Sequence, residues 1–315
     1  MQWVGGWGRM AAVGLAWVLG WGWALAGAAA AAPADPAQSP TLRKIRDAGV
    51  ITVGYRAASM PFSYLDGQRR PVGYTLDLCL RIVDAVRARL AQPDLELRMM
   101  PVSSATRLPL VANGTVDLEC GVTTHTAERA RSVAFSITTF VAASRLLSRK
   151  AAPVHTLDDL RGKTVASSLA TTSMLHLHAQ NQARGLDMTI VGALDDADSF
   201  RLVGTGRAAA YAMDDVLLSA LMASAHDGAD YRISDEALTT EPYAIGLKRG
   251  DPVFKQLVDE VLKGLFRSGE IHTLYKRWFQ SPLPPRGLNL NLPMSAALRR
   301  AVEQPTDSSD PAHYR

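Results

Sequence analysis

Three arginines stand where the chain turns between a strand and a helix, and each could grip an anion. Arg56 follows the β-rich run Val50-Ile51-Thr52-Val53-Gly54-Tyr55. Arg107 stands with Ser103 and Ser104 at the mouth of a helix that Pro109 confines to start near residue 107. Arg129 lies three residues past Thr126, a plausible helix cap. A guanidinium presents a planar fork that matches a carboxylate or phosphate by two bonds at once. Around Arg129 the chain reads Asp117-Leu118-Glu119-Cys120-Gly121-Val122-Thr123-Thr124 and then a helical turn over 127–132. Strand, glycine turn, threonines and a helix N-terminus together favour a bound anion. The same residues also read as an ordinary turn with solvated arginines. Farther along, a strand at 208–212 delivers Asp214 and Asp215 to the start of another helix, which both suit as caps.

The elements that position these groups alternate. A short helix at 41–48 precedes the strand at 50–55; a helix over 76–90 follows, with apolar residues at 76, 79, 80, 83, 86 and 90. Strands at 95–99 and 116–120 flank the Pro109 helix, giving β-α-β-α-β with ligand-facing loops at the strand C-termini. A long extended segment, 134–148, starting with a strand at 134–141, crosses out of this unit. A second series follows, with strands at 163–167, 188–191 and 208–212 and helices between them. Residues 243–248 read as a return crossing; Asp251-Pro252 opens a helix to 266 and Glu270 another to 279. Two α/β lobes joined by two crossings form a hinged clamshell that closes on a ligand.

The stretch Asp117-Leu118-Glu119-Cys120-Gly121, Thr123-Thr124, Glu128-Arg129 and Ala134-Phe135-Ser136 resembles the core of periplasmic amino-acid-binding proteins of ABC importers, most closely their glutamate/aspartate branch. The likeness spans roughly 41–295. It implies two doubly wound α/β lobes joined by two strands, with 41–142 beginning lobe 1, 143–242 forming lobe 2, and 243–295 returning to lobe 1 with C-terminal helices. It implies that Arg129 grips an α-carboxylate with help from Thr124, and that Thr172 completes the contact from lobe 2 or simply caps its helix. Asp214 then takes the α-ammonium, leaving Asp215 as cap. Arg56, Arg107 and Ser104 match the positions that hold a side-chain carboxylate. Two arginines in one small pocket repel each other without an anion, so the pair implies an acidic ligand. Two positions depart from the branch: Val122 stands for a serine, leaving only its carbonyl to accept from an ammonium, and Asp196 stands for a histidine. A carboxylate at 196 repels an acidic ligand unless it pairs with Arg56 or Arg107.

Bulk properties fit this reading. The 315-residue chain is 47% hydrophobic and 20% charged with a net charge of +4, and without a basic tract it does not suit nucleic acid. Residues 1–32 read as an export signal, with Arg9, an apolar run and Ala-x-Ala cleavage choices, so the expected location is the periplasm. There the two cysteines, Cys79 and Cys120, either pair or pack as buried thiols. Residues 304–315 are polar and expected to be disordered. No metal, phosphate-loop or nucleophile motif occurs, so neither cofactor nor metal is called for. The expectation is a monomeric, non-catalytic binding protein that hands an acidic amino acid to an ABC permease. The alternatives are a glutamine or asparagine binder, or a dehydratase-like enzyme using Glu119 or Asp196 as general acid.

Overall fold

The computed structural model describes residue 1, residues 3–7 and residues 36–314; the apolar run and cleavage region of the expected export signal therefore lie outside the described residues. Helix α1 (Pro40–Ala48) is capped by the Ser39 hydroxyl and stopped by Gly49, whose φ of 65° suits glycine. Strand β1 (Val50–Tyr55) leads to a small antiparallel sheet of β2 (Ala58–Ser59), β3 (Ser63–Leu65) and β4 (Pro71–Val72), whose strands are too short to show a period in sequence. Helix α2 (Tyr74–Leu90) buries Leu76, Cys79, Val83 and Val86, while Leu80, counted with that stripe in the sequence, stays exposed. Strand β5 (Glu96–Pro101), helix α3 (Arg107–Ala112) and strand β6 (Leu118–Glu119) follow. β1 pairs in parallel with both β5 and β6, so Arg56 and the loops after β5 and β6 emerge at one edge.

The extended segment expected at 134–141 is broken into β7 (Val133–Phe135) and β8 (Phe140–Arg149). Between them the backbone finds other partners: the N–H of Ile137 donates to the Asp259 carboxylate at 2.8 Å and that of Thr138 to the Thr306 carbonyl at 2.8 Å. Lobe 2 then runs β9 (Thr164–Ser168), α4 (Thr172–Arg184), β10 (Thr189–Ala193), α5 (Asp196–Gly204), β11 (Ala210–Asp214), α6 (Asp215–Ser224) and β12 (Tyr231–Ile233). Its strand order is β10-β9-β11-β8-β12. The chain returns through β13 (Thr239–Tyr243), paired with β8, and β14 (Gly246–Lys248), which lies between β6 and β7 in the first sheet, order β5-β1-β6-β14-β7. The two crossings thus lie side by side, with Tyr243 opposite Phe140.

Aromatic rings pack where the crossings meet lobe 1. Phe62 and Phe140 stand edge to face at 4.8 Å, Phe140 and Tyr243 lie 5.9 Å apart, and Phe279 stacks on Tyr275 at 4.4 Å. Such pairs contribute about 0.5–1.5 kcal/mol each beyond area burial. They fix the Tyr243 ring, whose hydroxyl reaches into the site described below. Helices α7 (Pro252–Ser268), α8 (Glu270–Phe279) and α9 (Ala296–Glu303) close the chain.

The tail does not follow its composition. Although 304–315 was expected to be disordered, Tyr314 is buried, its ring against Val141 and Ala301, and its hydroxyl bonds Thr138 Oγ1 and the Ser308 carbonyl at 2.7 Å each. Asp307 also pairs with Lys255 at 2.9 Å. One buried ring and one ion pair anchor a segment that polar content alone assigns to solvent.

Cys79 and Cys120 form a disulfide that ties α2 to the end of β6 across a sequence separation of 41. Closing a loop of that length lowers the entropy of the unfolded chain by the equivalent of about 4 kcal/mol, with typical measured gains of about 2–4. Cys79→Ser/Cys120→Ser is therefore expected to lower the unfolding free energy by about 2–4 kcal/mol in urea titrations. An unchanged midpoint and slope would contradict this.

Candidate functional site

The loops after β1, β5 and β6 place three guanidinium groups at the C-terminal edge of the lobe 1 sheet, and all three are tied down. Arg56, buried, donates from Nη1 to Ser104 Oγ at 2.8 Å, and its own N–H is held by Ser63 Oγ at 2.9 Å. Arg107, 3% exposed at the start of α3, donates from Nη1 to the Val122 carbonyl at 2.7 Å, while its Nε is buried without a partner among the described residues. The Val122 carbonyl, expected to accept from an ammonium, thus accepts from Arg107. Burial pushes the Arg107 guanidinium down to about 9; Glu119 opposes this, and Arg129 and Arg56 add to it.

Gly121 makes this packing possible. A Cβ there would lie 2.5 Å from Glu119 Oε1 and 2.8 Å from Arg56 Cγ, so the turn admits glycine alone without displacing a buried charge. Glu119, fully buried, accepts from the Thr123 hydroxyl at 2.6 Å through Oε2, and its Oε1 has no partner among the described residues.

The helical turn expected after the threonines is a single 3-10 turn, Arg129–Arg131. It is too short to supply much dipole, so the anion-binding character rests on the Arg129 guanidinium itself. Thr126 holds the Arg129 N–H at 3.2 Å, and Nη1 donates to the Thr124 carbonyl at 2.9 Å. Nη2 reaches across to the Ala170 carbonyl in lobe 2 at 3.3 Å, so the lobes meet at this arginine. Ala170 adopts φ 59°, a left-handed conformation that costs a non-glycine residue about 1–3 kcal/mol. Its carbonyl lies at the Arg129 contact, and a lone alanine gives no sign of this in sequence.

In lobe 2, Thr171 caps α4 by accepting from the Met174 N–H, which frees Thr172 from that role. The Thr172 hydroxyl instead donates to Glu241 Oε2 at 2.8 Å. Asp214 ends β11 and occupies the cap position of α6 without a capping bond. Its Oδ2 accepts from the Tyr243 hydroxyl, and its buried Oδ1 has no partner among the described residues. Burial pushes the Asp214 carboxyl well above the usual carboxylate range, and the Glu241 charge adds to that. Asp215, left as cap by the resemblance, is instead the first residue of α6 and accepts from Val216 N–H at 2.8 Å and, across to β8, from Ala143 N–H at 3.3 Å.

Asp196, which would repel an acidic ligand unless paired with Arg56 or Arg107, is bonded to neither arginine and finds its partners within lobe 2. Its Oδ1 accepts from the Ser168 hydroxyl at 2.6 Å and the Tyr211 hydroxyl at 3.0 Å. The cap of α5 is Asp195, which leaves the 196 side chain free to turn inward beside a cavity of about 210 Å³ shared with Ala57, Met60 and Leu217. Two hydroxyl donors satisfy the buried carboxyl in place of a guanidinium.

The arrangement offers cations to one or two carboxylates from lobe 1, and an unpaired carboxylate oxygen from lobe 2. Glu241, Tyr243 and Ala170 were not singled out in the sequence. An acid within a strand, a tyrosine in an apolar run and an alanine in a turn carry no distinguishing pattern.

Residues 51–281 match the model of bacterial extracellular solute-binding proteins, family 3. The chain is 44% identical over 270 residues to an L-glutamate/L-aspartate-binding protein of Pseudomonas aeruginosa, covering 85% of this chain and 89% of the relative. It is 40% identical over 284 residues to a glutamate/aspartate import solute-binding protein of Escherichia coli K12, covering 90% and 94%. Among solved structures it is similar to a mutant of ArgBP from T. maritima, with a TM-score of 0.68 at 27% identity over 76% of this chain and 99% of that one.

Proposed function

The chain belongs to the bacterial extracellular solute-binding proteins, family 3, and we propose that it captures glutamate or aspartate between its lobes. It then delivers the amino acid to the membrane permease of an ABC importer, working in the periplasm as a monomer. The observation that carries this reading is the division of charge across the cleft. Arg129 from lobe 1 would hold the α-carboxylate with Thr124 and the N-terminal backbone of α4 at Thr172. Asp214 from lobe 2 would take the α-ammonium through its unpartnered oxygen. Arg56 and Arg107, with Ser104, would receive the side-chain carboxylate and relieve the repulsion between their own charges. Val122 would act through its carbonyl by holding Arg107 in place, and Asp196 by bounding the pocket from lobe 2. Because Arg129 already touches Ala170, ligand that bridges the same two lobes would shift the population toward the closed form.

The test is calorimetric titration of protein freed of carried-over ligand by unfolding and refolding. Glutamate and aspartate are expected to bind, with glutamine and asparagine weaker by roughly 10- to 100-fold, the worth of one charge-assisted contact. Binding of the amides alone would reassign the pocket, and binding of none of the four would overturn amino-acid capture.

A further inference from the structure

Glu241 is a carboxylate on a crossing strand, 2% exposed, which the charge division above does not use. We infer that Glu241 is a positioning residue for the α-amino-acid end of the site, acting on the ligand through Thr172, Asp214 and Arg129. This rests on the proposed capture of an α-amino acid.

The geometry supports it from three sides. First, Glu241 accepts from the Thr172 hydroxyl at 2.8 Å and from the Thr239 hydroxyl, so both its oxygens are engaged. A Thr172 hydroxyl that donates to Glu241 has no proton left for a ligand carboxylate, so α4 offers its N-terminal backbone N–H instead. Second, Glu241 stands two residues from Tyr243, whose hydroxyl donates to Asp214, so one short strand bonds a residue of the ammonium side, Asp214, and one of the carboxylate side, Thr172. Third, no ion pair within 4.0 Å joins Glu241 to a cation among the described residues, yet the groups facing it are ionisable. These are Arg129 beyond the threonine turn, Asp214 at the end of β11 and His176 one turn into α4. Asp214 itself is also faced by Asp215, Asp196 and Tyr243. Two neighbouring buried carboxylates favour a ligand that brings a cation between them, and disfavour one that does not.

The direction of the pH effect follows. Asp214 must be ionised to hold an ammonium, and Glu241 makes that ionisation harder in the empty site. Binding therefore releases protons, and affinity falls as pH drops through the empty-site value of Asp214. Removing the Glu241 charge moves this acid limb to lower pH and lessens the proton release.

Glu241→Gln keeps groups that can bond both threonine hydroxyls but loses the charge. Wild type and variant would be titrated with glutamate and with 2-oxoglutarate, which carries a carbonyl in place of the ammonium, in buffers of differing ionisation enthalpy between pH 4.5 and 8. The expected result is a fall of about tenfold or more in the preference for glutamate over 2-oxoglutarate, from loss of one nearby charge. The acid limb is expected to shift downward with fewer protons released. An unchanged preference and an unchanged limb would overturn the inference. If Glu241→Gln does not fold, Glu241→Asp serves instead: it keeps the charge and must keep the limb, and a limb displaced as far as loss of charge requires would count against the proposal. Failure of the wild-type protein to bind any amino acid would instead overturn the capture reading itself.

Discussion

Arg129→Ala is expected to weaken binding of glutamate and glutamine by the same factor, about 2–5 kcal/mol or roughly 30- to 5,000-fold, because the arginine serves the α-carboxylate that both carry. The guanidinium is held in a fixed orientation by the Thr124 carbonyl at 2.9 Å, so its fork is preorganised before ligand arrives. Alanine also removes the bond to the Ala170 carbonyl, and with it a contact that exists only when the lobes are together. Arg129→Lys should restore little, since an ammonium cannot satisfy Thr124, Ala170 and a carboxylate in one plane. Calorimetry on both ligands checks this. A loss confined to glutamate would reassign Arg129 to the side-chain end.

Arg107→Met is expected to separate the two ligands. Glutamate should lose about 2–4 kcal/mol while glutamine changes by less than about tenfold, because the charge removed serves a side-chain carboxylate that the amide lacks. The same substitution should raise the melting temperature of the ligand-free protein. Arg107 is a buried cation whose folded value, about 9, lies below its ordinary one through burial and the neighbouring Arg129 and Arg56. Such a group costs stability wherever it is protonated in both states, so the cost is complete at neutral pH and lessens only as pH rises through about 9. Methionine of similar reach removes that cost and the unpartnered Nε. Scanning fluorimetry without ligand is the measurement, and a lower melting temperature than wild type would sink the argument. A raised melting temperature would mark the site as one that gives up stability for recognition.

The fold was largely legible because its elements announce themselves locally. Asp251-Pro252 caps α7 as its sequence indicates, and the strand at 50–55 and the helix at 270–279 fall where β-rich composition and spacing place them. What stayed hidden depends on groups far apart in sequence. The break between β7 and β8 arises because Asp259 and Thr306 capture backbone N–H groups, and neither is near residue 137 or 138 in the chain. Charge alone offers Asp196 only repulsion of an acidic ligand or pairing with an arginine, whereas Ser168 and Tyr211, 28 and 15 residues away, supply hydroxyls that no spacing rule brings together. The arginines themselves were visible as a type and a place, but their partners, carbonyls at 122, 124 and 170, are backbone atoms that every sequence has.

The buried Tyr314 has a practical reach. A fluorescent domain joined after residue 315 would be rooted one residue from a ring packed on Val141 of the first crossing strand. It would therefore report on lobe motion chiefly through its orientation, and polarisation would be the more sensitive optical readout than a distance-dependent transfer of excitation. A flexible spacer, ordinarily added to protect the host protein, would here erase the signal.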